Sequence, residues 1–123
     1  MNEKILVVDD DSAIRRVVVF TLQPLDMDII GARDGREALA LAEQEAFSLA
    51  IVDINLPDMD GFEVVRQLKS LAHMQQVPII MFTARNDRDD EMMAIQAGAV
   101  NFLYKPFSTQ ELRGLVKSYL VGM

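Results

Sequence analysis

The stretch LAIVDINLPDMDG, residues 49–61, decides the fold of this chain. It opens with four apolar residues that no polar residue interrupts, continues with Asp53, and then passes into a loop that contains Pro57 and ends at Gly61. Short apolar runs without alternation are typical of strands that are buried on both faces of a parallel sheet. The stretch therefore predicts a buried strand that presents one carboxylate at its carboxyl end.

Two more apolar runs have the same form. Residues 5–8 are followed by three consecutive aspartates, residues 9–11, and residues 79–82 are followed by Thr83. Weaker strand candidates lie at residues 28–32 and 101–104. Five strand candidates are thus spaced along the whole chain, and each of the three strong candidates is followed directly by a polar residue.

The intervals between the strands have helical periodicity. One face of the first helix carries four apolar residues, Ile14, Val17, Val18 and Leu22. In the fourth helix we expect Met92 and Met93 to fill the core and not to bind a cofactor, although methionine also serves adaptable partner surfaces. Five strands that alternate with five helices predict an α/β fold with a doubly wound parallel sheet, because a helical crossover is what joins parallel neighbours.

Local signals mark several helix ends. Ser108 and Glu111 stand at the spacing of a capping box and predict the start of the fifth helix. Gly98 closes the fourth helix, and Asp11 or Ser12 is expected to cap the first helix.

The composition predicts one globular domain, residues 1–123, with 50% hydrophobic and 25% charged residues. Lys and Arg total 12 against 19 Asp and Glu, a net charge of -7, which argues against direct nucleic-acid binding. The chain has no cysteine, so disulfide and thiol chemistry are excluded. The first apolar run is too short for a signal peptide or a membrane span, so we expect no membrane contact and a cytoplasmic location.

The polar residues at the strand ends predict a site. Because ligands of doubly wound sheets bind beyond the carboxyl ends of the strands, Asp9, Asp10, Asp53 and Thr83 should lie at one edge. Three carboxylates there repel one another, so we expect a raised carboxyl pKa, or a divalent cation that relieves the repulsion. Mg²⁺ suits oxygen ligands of this number, and Mn²⁺ is an expected substitute. An ionised Asp is also a nucleophile toward phosphorus, and Lys105 and Thr83 could contact the phosphoryl oxygens.

From residue 4 to residue 120 the chain resembles the receiver domain of bacterial two-component response regulators, and its chemotaxis regulators in particular. The matching motifs stand in the family's order and approximate spacing: Asp9-Asp10, residues 53–61, Thr83-Ala84 and Lys105-Pro106-Phe107. The resemblance implies a flavodoxin-like sheet with strand order 2-1-3-4-5. It also implies a phosphorylation-activated switch of a two-component phosphorelay.

The same resemblance implies a role for each site residue. Asp53 would be the phosphoacceptor and a metal ligand, and Lys105 would hold the phosphoryl group. Asp10 would be the main carboxylate ligand of Mg²⁺, with Asp9 helping through water and Asn55 binding through its backbone carbonyl.

Signalling would follow from a movement of Thr83 toward the phosphoryl group and an inward turn of the aromatic Phe102. Tyr104 lies on the same face of the predicted strand and is a rival for that second role. Asn55 and Arg85 would tune the rate of phosphoryl loss, and the Lys105–Pro106 bond would be cis, as in the family.

The resemblance also implies partners. A sensor histidine kinase or a phosphotransfer protein would donate the phosphoryl group, and an output domain or effector would bind the surface of the fourth helix, fifth strand and fifth helix. The chain would be a monomer or a phosphorylation-dependent dimer, and not an enzyme beyond promoting its own phosphorylation and dephosphorylation. Receivers that pair through this surface commonly have two acids where this chain has Val100-Asn101, a departure from that dimer mode.

Three alternatives remain. An aspartyl phosphohydrolase would need a second acid two residues after the nucleophile, where this chain has Asn55. A flavin- or nucleotide-binding module would need a Gly- or Ser/Thr-rich loop after the first strand, where three aspartates stand. A phosphate-independent interaction module is the third. The single histidine, His73, lies in a polar stretch and is expected at the surface with no role.

Overall fold

The five apolar runs form one parallel sheet, and each strand lies within one residue of its predicted bounds. The computed structural model describes residues 3–83 and 88–120, without the side chain of Arg88. The strands are β1 (Lys4–Val8), β2 (Asp28–Ala32), β3 (Leu49–Asp53), β4 (Ile79–Thr83) and β5 (Asn101–Tyr104). They pair in the order β2-β1-β3-β4-β5, so the predicted doubly wound, flavodoxin-like fold is confirmed.

Within the described residues, five α-helices connect or follow the strands. They are α1 (Ser12–Leu22), α2 (Gly35–Gln44), α3 (Gly61–Ser70), α4 (Arg88–Ala97) and α5 (Thr109–Tyr119). Helices α2, α3 and α4 pack on one face of the sheet, and α1 and α5 pack on the other. No helix in residues 3–83 or 88–120 combines the length and the apolarity of a membrane span.

The central strands supply both hydrophobic cores. In β1, Leu6 and Val8 belong to the core under α2, α3 and α4, whereas Ile5 and Val7 belong to the core under α1 and α5. All four side chains are fully buried. A strand that is covered on both faces has no solvent side, which is why its sequence is an unbroken apolar run.

The predicted burial of Met92 and Met93 is wrong. They are 58% and 43% exposed, and α4 instead buries Asp90, Ala94 and Ala97. These three residues are spaced i, i+4 and i+7, the spacing of one helix face. Small side chains therefore face the sheet, and the larger apolar residues of this helix face solvent.

Helix α1 is also less buried than predicted. Val18 and Leu22 are fully buried, as the periodicity suggested, but Val17 is 45% exposed and the neighbouring Phe20 is 72% exposed. The buried stripe is completed by Thr21 instead. The helix thus leaves an apolar strip on its outer side.

The predicted helix ends are confirmed. The Ser108 hydroxyl accepts a hydrogen bond from the Glu111 backbone N–H at 3.0 Å, and the Glu111 carboxylate accepts one from the Ser108 N–H at 3.0 Å. Asp11 caps α1 by accepting from the Ala13 N–H at 2.9 Å. Gly98 follows α4 with φ 118°, a left-handed conformation that favours glycine, and the Lys105–Pro106 bond is cis.

The loop between β3 and α3 folds back closely against the end of β3. The Gly61 N–H donates to the Ile54 carbonyl at 2.7 Å. A Cβ atom at position 61 would lie 2.1 Å from the Asp53 carbonyl oxygen. Glycine is therefore required here by a close approach of two backbone segments.

The same loop also holds the start of α2. The carboxylate of Asp58 accepts the backbone N–H groups of Gly35 and Arg36, each at 2.9 Å. Desolvation by itself would raise the pKa of Asp58, but these hydrogen bonds, with those from the backbone of Asp58 and Met59, lower it below its ordinary value. A second carboxylate thus joins Asp34, the N-cap of α2, in satisfying the free donors of this helix.

We expect Gly61→Ala to destabilise the fold by about 1–3 kcal/mol, because the new methyl group would overlap the Asp53 carbonyl. Gly114→Ala is the matched control, since a Cβ atom in the middle of α5 would meet nothing within 4 Å. It should stabilise the protein by about 0.5–1 kcal/mol through helix propensity. Urea unfolding of both variants measures the difference, and equal effects at the two positions would contradict the close approach.

Candidate functional site

The parallel sheet brings the polar strand ends together at one edge. Val8 pairs with Val52 in neighbouring strands, so Asp9 and Asp53 follow them side by side. On the other side of β3, Asp53 pairs with Phe82, and Thr83 comes next. The Lys105 N–H donates to the Thr83 carbonyl at 2.7 Å, which fixes the start of the Lys105 loop at this edge.

Three aspartates form an acidic cluster there. One carboxylate oxygen from each of Asp9, Asp10 and Asp53 lies within 4.8 Å of the others. Asp9 and Asp53 are buried, and Asp10 is exposed. The cluster is therefore anchored in the sheet and open on one side, and its oxygen donors are those that a hard divalent cation prefers.

Lys105 places a positive charge against this cluster. Its Nζ lies 2.7 Å from Asp9 Oδ2 and 3.5 Å from Asp53 Oδ2. The side chain is 17% exposed, and the ammonium also lies 5.9 Å from the centre of the Phe82 ring. The shorter contact to Asp9 was not predicted, and it means that Lys105 bridges two of the acids.

Burial is the largest influence on the pKa of Asp53, and it raises this pKa above the ordinary value. The charge of Lys105 lowers the pKa, the charge of Asp9 raises it, and the backbone N–H of Asn55 lowers it by donating to the carboxylate. The net pKa is raised, the direction predicted from repulsion between the acids. Repulsion is nevertheless a smaller cause than the desolvation of the carboxylate by burial.

The other predicted site residues differ in how deeply they are buried. Thr83 is buried beside Asp53, and Asn55 is exposed. Phe102 and Tyr104 are half-buried on the α4 side of β5, with their rings 5.7 Å apart and edge to face. Arg85, and Ala84 of the predicted motif, lie outside the described residues.

His73 lies apart from this site. It is exposed, and a ring nitrogen lies 2.6 Å from the Ala42 carbonyl at the end of α2. This position agrees with the predicted surface location.

Comparison with known proteins identifies the family. The model of the response regulator receiver domain matches residues 5–117. The chain belongs to the response regulator receiver family. It is 41% identical over 120 residues to the alkaline phosphatase synthesis transcriptional regulatory protein PhoP of Bacillus subtilis (strain 168), which covers 98% of the chain and 49% of that protein.

Solved receiver structures have the same fold. The chemotaxis protein CheY4 of Vibrio cholerae is 34% identical with a TM-score of 0.92, and the likeness covers 97% of this chain and 99% of that one. The receiver domain of a sensor histidine kinase from Pseudomonas aeruginosa PAO1 is 28% identical with a TM-score of 0.89, covering 98% of both chains. That crystal structure has a magnesium ion coordinated in its active site cleft.

The chain is thus a receiver domain of the two-component response regulators, a family of signalling switches. It spans about half the length of the curated relatives it matches. Receivers of this family act between histidine kinases and output domains. The predictions of the family and of its switch function are confirmed.

Besides the Lys105–Asp9 contact, two further features of the receiver site were not predicted from sequence. The backbone of the loop after β3 must approach Asp53 closely, and Tyr104 donates a hydrogen bond from its hydroxyl to Glu91 Oε1 of α4. Gly61 was a sequence signal for the close backbone approach, but the segment that this glycine contacts is set by tertiary structure. The Tyr104–Glu91 hydrogen bond had no sequence signal, because it depends on how α4 lies against β5.

Because the charged form of Asp53 is disfavoured in the fold, we expect Asp53→Asn to raise the free energy of unfolding at pH 7 without added metal. The folded pKa of Asp53 is above its unfolded pKa of about 3.9. The contribution of Asp53 to the free energy of unfolding is therefore fully present below that value and is lost as the pH rises through the folded pKa. The gain from Asp53→Asn should therefore vanish at low pH.

Urea unfolding between neutral and acid pH measures this gain. Glu43→Gln, at an exposed position of α2, is the control for loss of one negative charge. A gain that is absent at neutral pH, or that persists unchanged in acid, would show that the buried charge of Asp53 does not cost stability.

Proposed function

We propose that Asp53 accepts the phosphoryl group of this receiver domain. The observation that carries the proposal is the buried Asp53 carboxylate at the sheet edge, with the Lys105 ammonium 3.5 Å away and two further acids beside it. An Asp53 oxygen would attack phosphorus and form a new O–P bond, while the bond from phosphorus to the donor breaks and the donor keeps its electron pair. Lys105 would pair with one phosphoryl oxygen and the Thr83 hydroxyl would donate to another.

The acid cluster would hold Mg²⁺, with Mn²⁺ as a substitute. Asp10 is exposed and would offer its carboxylate directly, Asp53 would offer the second carboxylate, and the Asn55 carbonyl would complete the protein's ligands. Asp9 is engaged by Lys105 at 2.7 Å and would contact the ion through water. When bound, the ion supplies positive charge that offsets both the repulsion between the acids and the charge of the incoming phosphoryl group.

Signalling would pass from Thr83 to the α4 side of the sheet. Thr83 and Phe102 line the same small pocket as Glu91 and Ala94 of α4, so a movement of Thr83 would occur beside the Phe102 ring. The output partner would bind the α4-β5-α5 surface, where Met92 and Ile95 are 58% and 60% exposed. The phosphoryl group would come from a histidine kinase or a phosphotransfer protein in the cytoplasm, as the resemblance to the family implies.

The switch role is favoured over enzymatic turnover. A phosphohydrolase would need a base beside the phosphoaspartate, and the exposed residue at that position is Asn55, which cannot take a proton from water at neutral pH. We therefore expect a phosphoryl group that persists, at a rate that Asn55 and Arg85 would tune, and no activity beyond the domain's own phosphorylation and dephosphorylation.

We expect one phosphoryl addition when the protein is incubated with acetyl phosphate and Mg²⁺, and none without Mg²⁺. Intact-mass spectrometry measures it. Asp53→Asn should abolish the adduct, whereas Glu43→Gln, which removes an exposed carboxylate of α2, should retain it. An adduct on folded Asp53→Asn would reassign the acceptor.

Mg²⁺ should stabilise the folded protein, because it binds the assembled cluster and not the unfolded chain. At a concentration about 100-fold above its Kd, the gain is about 2.7 kcal/mol. Asp10→Asn should reduce the gain by removing the exposed ligand, and Asp26→Asn, in the turn before β2, should leave it unchanged. Urea unfolding at constant ionic strength measures the gain, and an equal gain in all three proteins would place the ion elsewhere.

A further inference from the structure

The second aromatic residue of β5, Tyr104, occupies a position between the phosphoryl site and helix α4. Its backbone pairs with Thr83 in β4, and Lys105 follows it directly. Its side chain points to the α4 side of the sheet, and its hydroxyl donates to Glu91 Oε1 in the first turn of α4. A single side chain thus joins the strand that carries Lys105 to the helix above it.

The hydrogen bond lies at the pocket beside Thr83. Thr83, Glu91, Ala94, Phe102 and Tyr104 all line that pocket. Phe102 is half-buried, with its ring packed edge to face on the Tyr104 ring at 5.7 Å and 63°. An inward turn of Phe102 would therefore change its contact with the Tyr104 ring.

We propose that the Tyr104–Glu91 hydrogen bond is a latch that holds α4 on β5 in the conformation in which Phe102 is half-buried, and that Tyr104 is a positioning residue of the switch. The proposal rests on the proposed phosphorylation of Asp53. The bond stabilises only the conformation in which it forms, so it works against a conformation in which α4 moves and Phe102 turns inward. A group bound at Asp53 that favours the inward conformation must overcome the latch, and by linkage loss of the latch tightens binding at Asp53.

Among the described residues, the apolar packing of α4 on the sheet is slight. The face of α4 toward the sheet carries Ala94 and Ala97, which bury little apolar area. A hydrogen bond to a charged acceptor is among the stronger polar contacts, and here it is partly shielded from water. One such bond can therefore bias the position of this helix.

The test compares Tyr104→Phe with Tyr119→Phe. These are the two tyrosines of the chain, and each variant removes one hydroxyl with little change in volume. The Tyr119 hydroxyl accepts from Asn101 Nδ2 at 3.3 Å and so links α5, not α4, to β5. It is the matched control for loss of a hydroxyl beside β5.

The first measurement is hydrogen–deuterium exchange of the unphosphorylated proteins. Tyr104→Phe and Glu91→Gln should speed exchange in α4, the double variant should add little to either, and Tyr119→Phe should leave α4 unchanged. Unaltered α4 exchange in Tyr104→Phe would overturn the latch, whatever the outcome at Asp53.

The second measurement is the affinity for beryllium trifluoride, a phosphoryl mimic, with Mg²⁺, followed by NMR titration. Tyr104→Phe should bind it roughly fivefold tighter than wild type, and Tyr119→Phe should match wild type. Unchanged or weaker binding in Tyr104→Phe, beside faster exchange, would reduce the bond to a structural contact and overturn the latch. Failure of the wild type to bind the mimic would instead refute the phosphoacceptor site, and the latch as a switch element with it.

Discussion

The carboxylate of Asp53 is the constraint around which the site is built. Because the parallel sheet is covered on both faces, the end of β3 is buried, and this burial raises the pKa of Asp53. Asp9 adds repulsion, and Lys105 opposes both effects from 3.5 Å while it pairs with Asp9 at 2.7 Å. Two buried acids share one ammonium, so the site holds more negative than positive charge. In the proposed reaction, an ion and a phosphoryl group that arrive together would change this balance in opposite directions, so that Asp53 could stay ionised and still accept a dianion.

Backbone contacts keep this charged edge in place. The loop after β3 is tied by the Gly61 N–H to the Ile54 carbonyl and by the Asp58 carboxylate to the start of α2. On the opposite side, the Lys105 N–H is tied to the Thr83 carbonyl. The acceptor, the hydroxyl and the ammonium are therefore fixed by the sheet and its adjoining turns, with no dependence on a long flexible loop for Asp53 or Lys105. Such preorganisation is what phosphoryl transfer needs, since positioning and charge supply most of its catalysis.

Much of this could be read from the sequence, because the signals are local. The predicted strands agree with the observed ones to within one residue, and the polar residues after the three strong apolar runs are those that meet at the sheet edge. The failures concern contacts between elements. Met92 and Val17 were assigned to the core by apolar character, but α4 packs through alanines and α1 through Val18 and Leu22. Likewise, no spacing rule states that Lys105 lies closer to Asp9 than to Asp53, because this depends on side-chain geometry at a shared edge. The identity of the family required the motifs together, since each alone has a structural interpretation.

Helices α3 and α4 differ in how much apolar side chain they bury, and this difference bears on the proposed switch. Helix α3 buries Phe62, Val64, Val65 and Leu68, and each large apolar side chain contributes about 1.5–3 kcal/mol when fully buried. Among its described side chains, helix α4 buries two alanines and Asp90. A phosphoryl group creates one to three charge-assisted hydrogen bonds, a few kcal/mol at most. In the proposed switch, that amount would be small beside the apolar burial of α3 and larger relative to the apolar burial of α4. Side-chain size would therefore favour α4 over α3 as the helix that moves when Asp53 is phosphorylated.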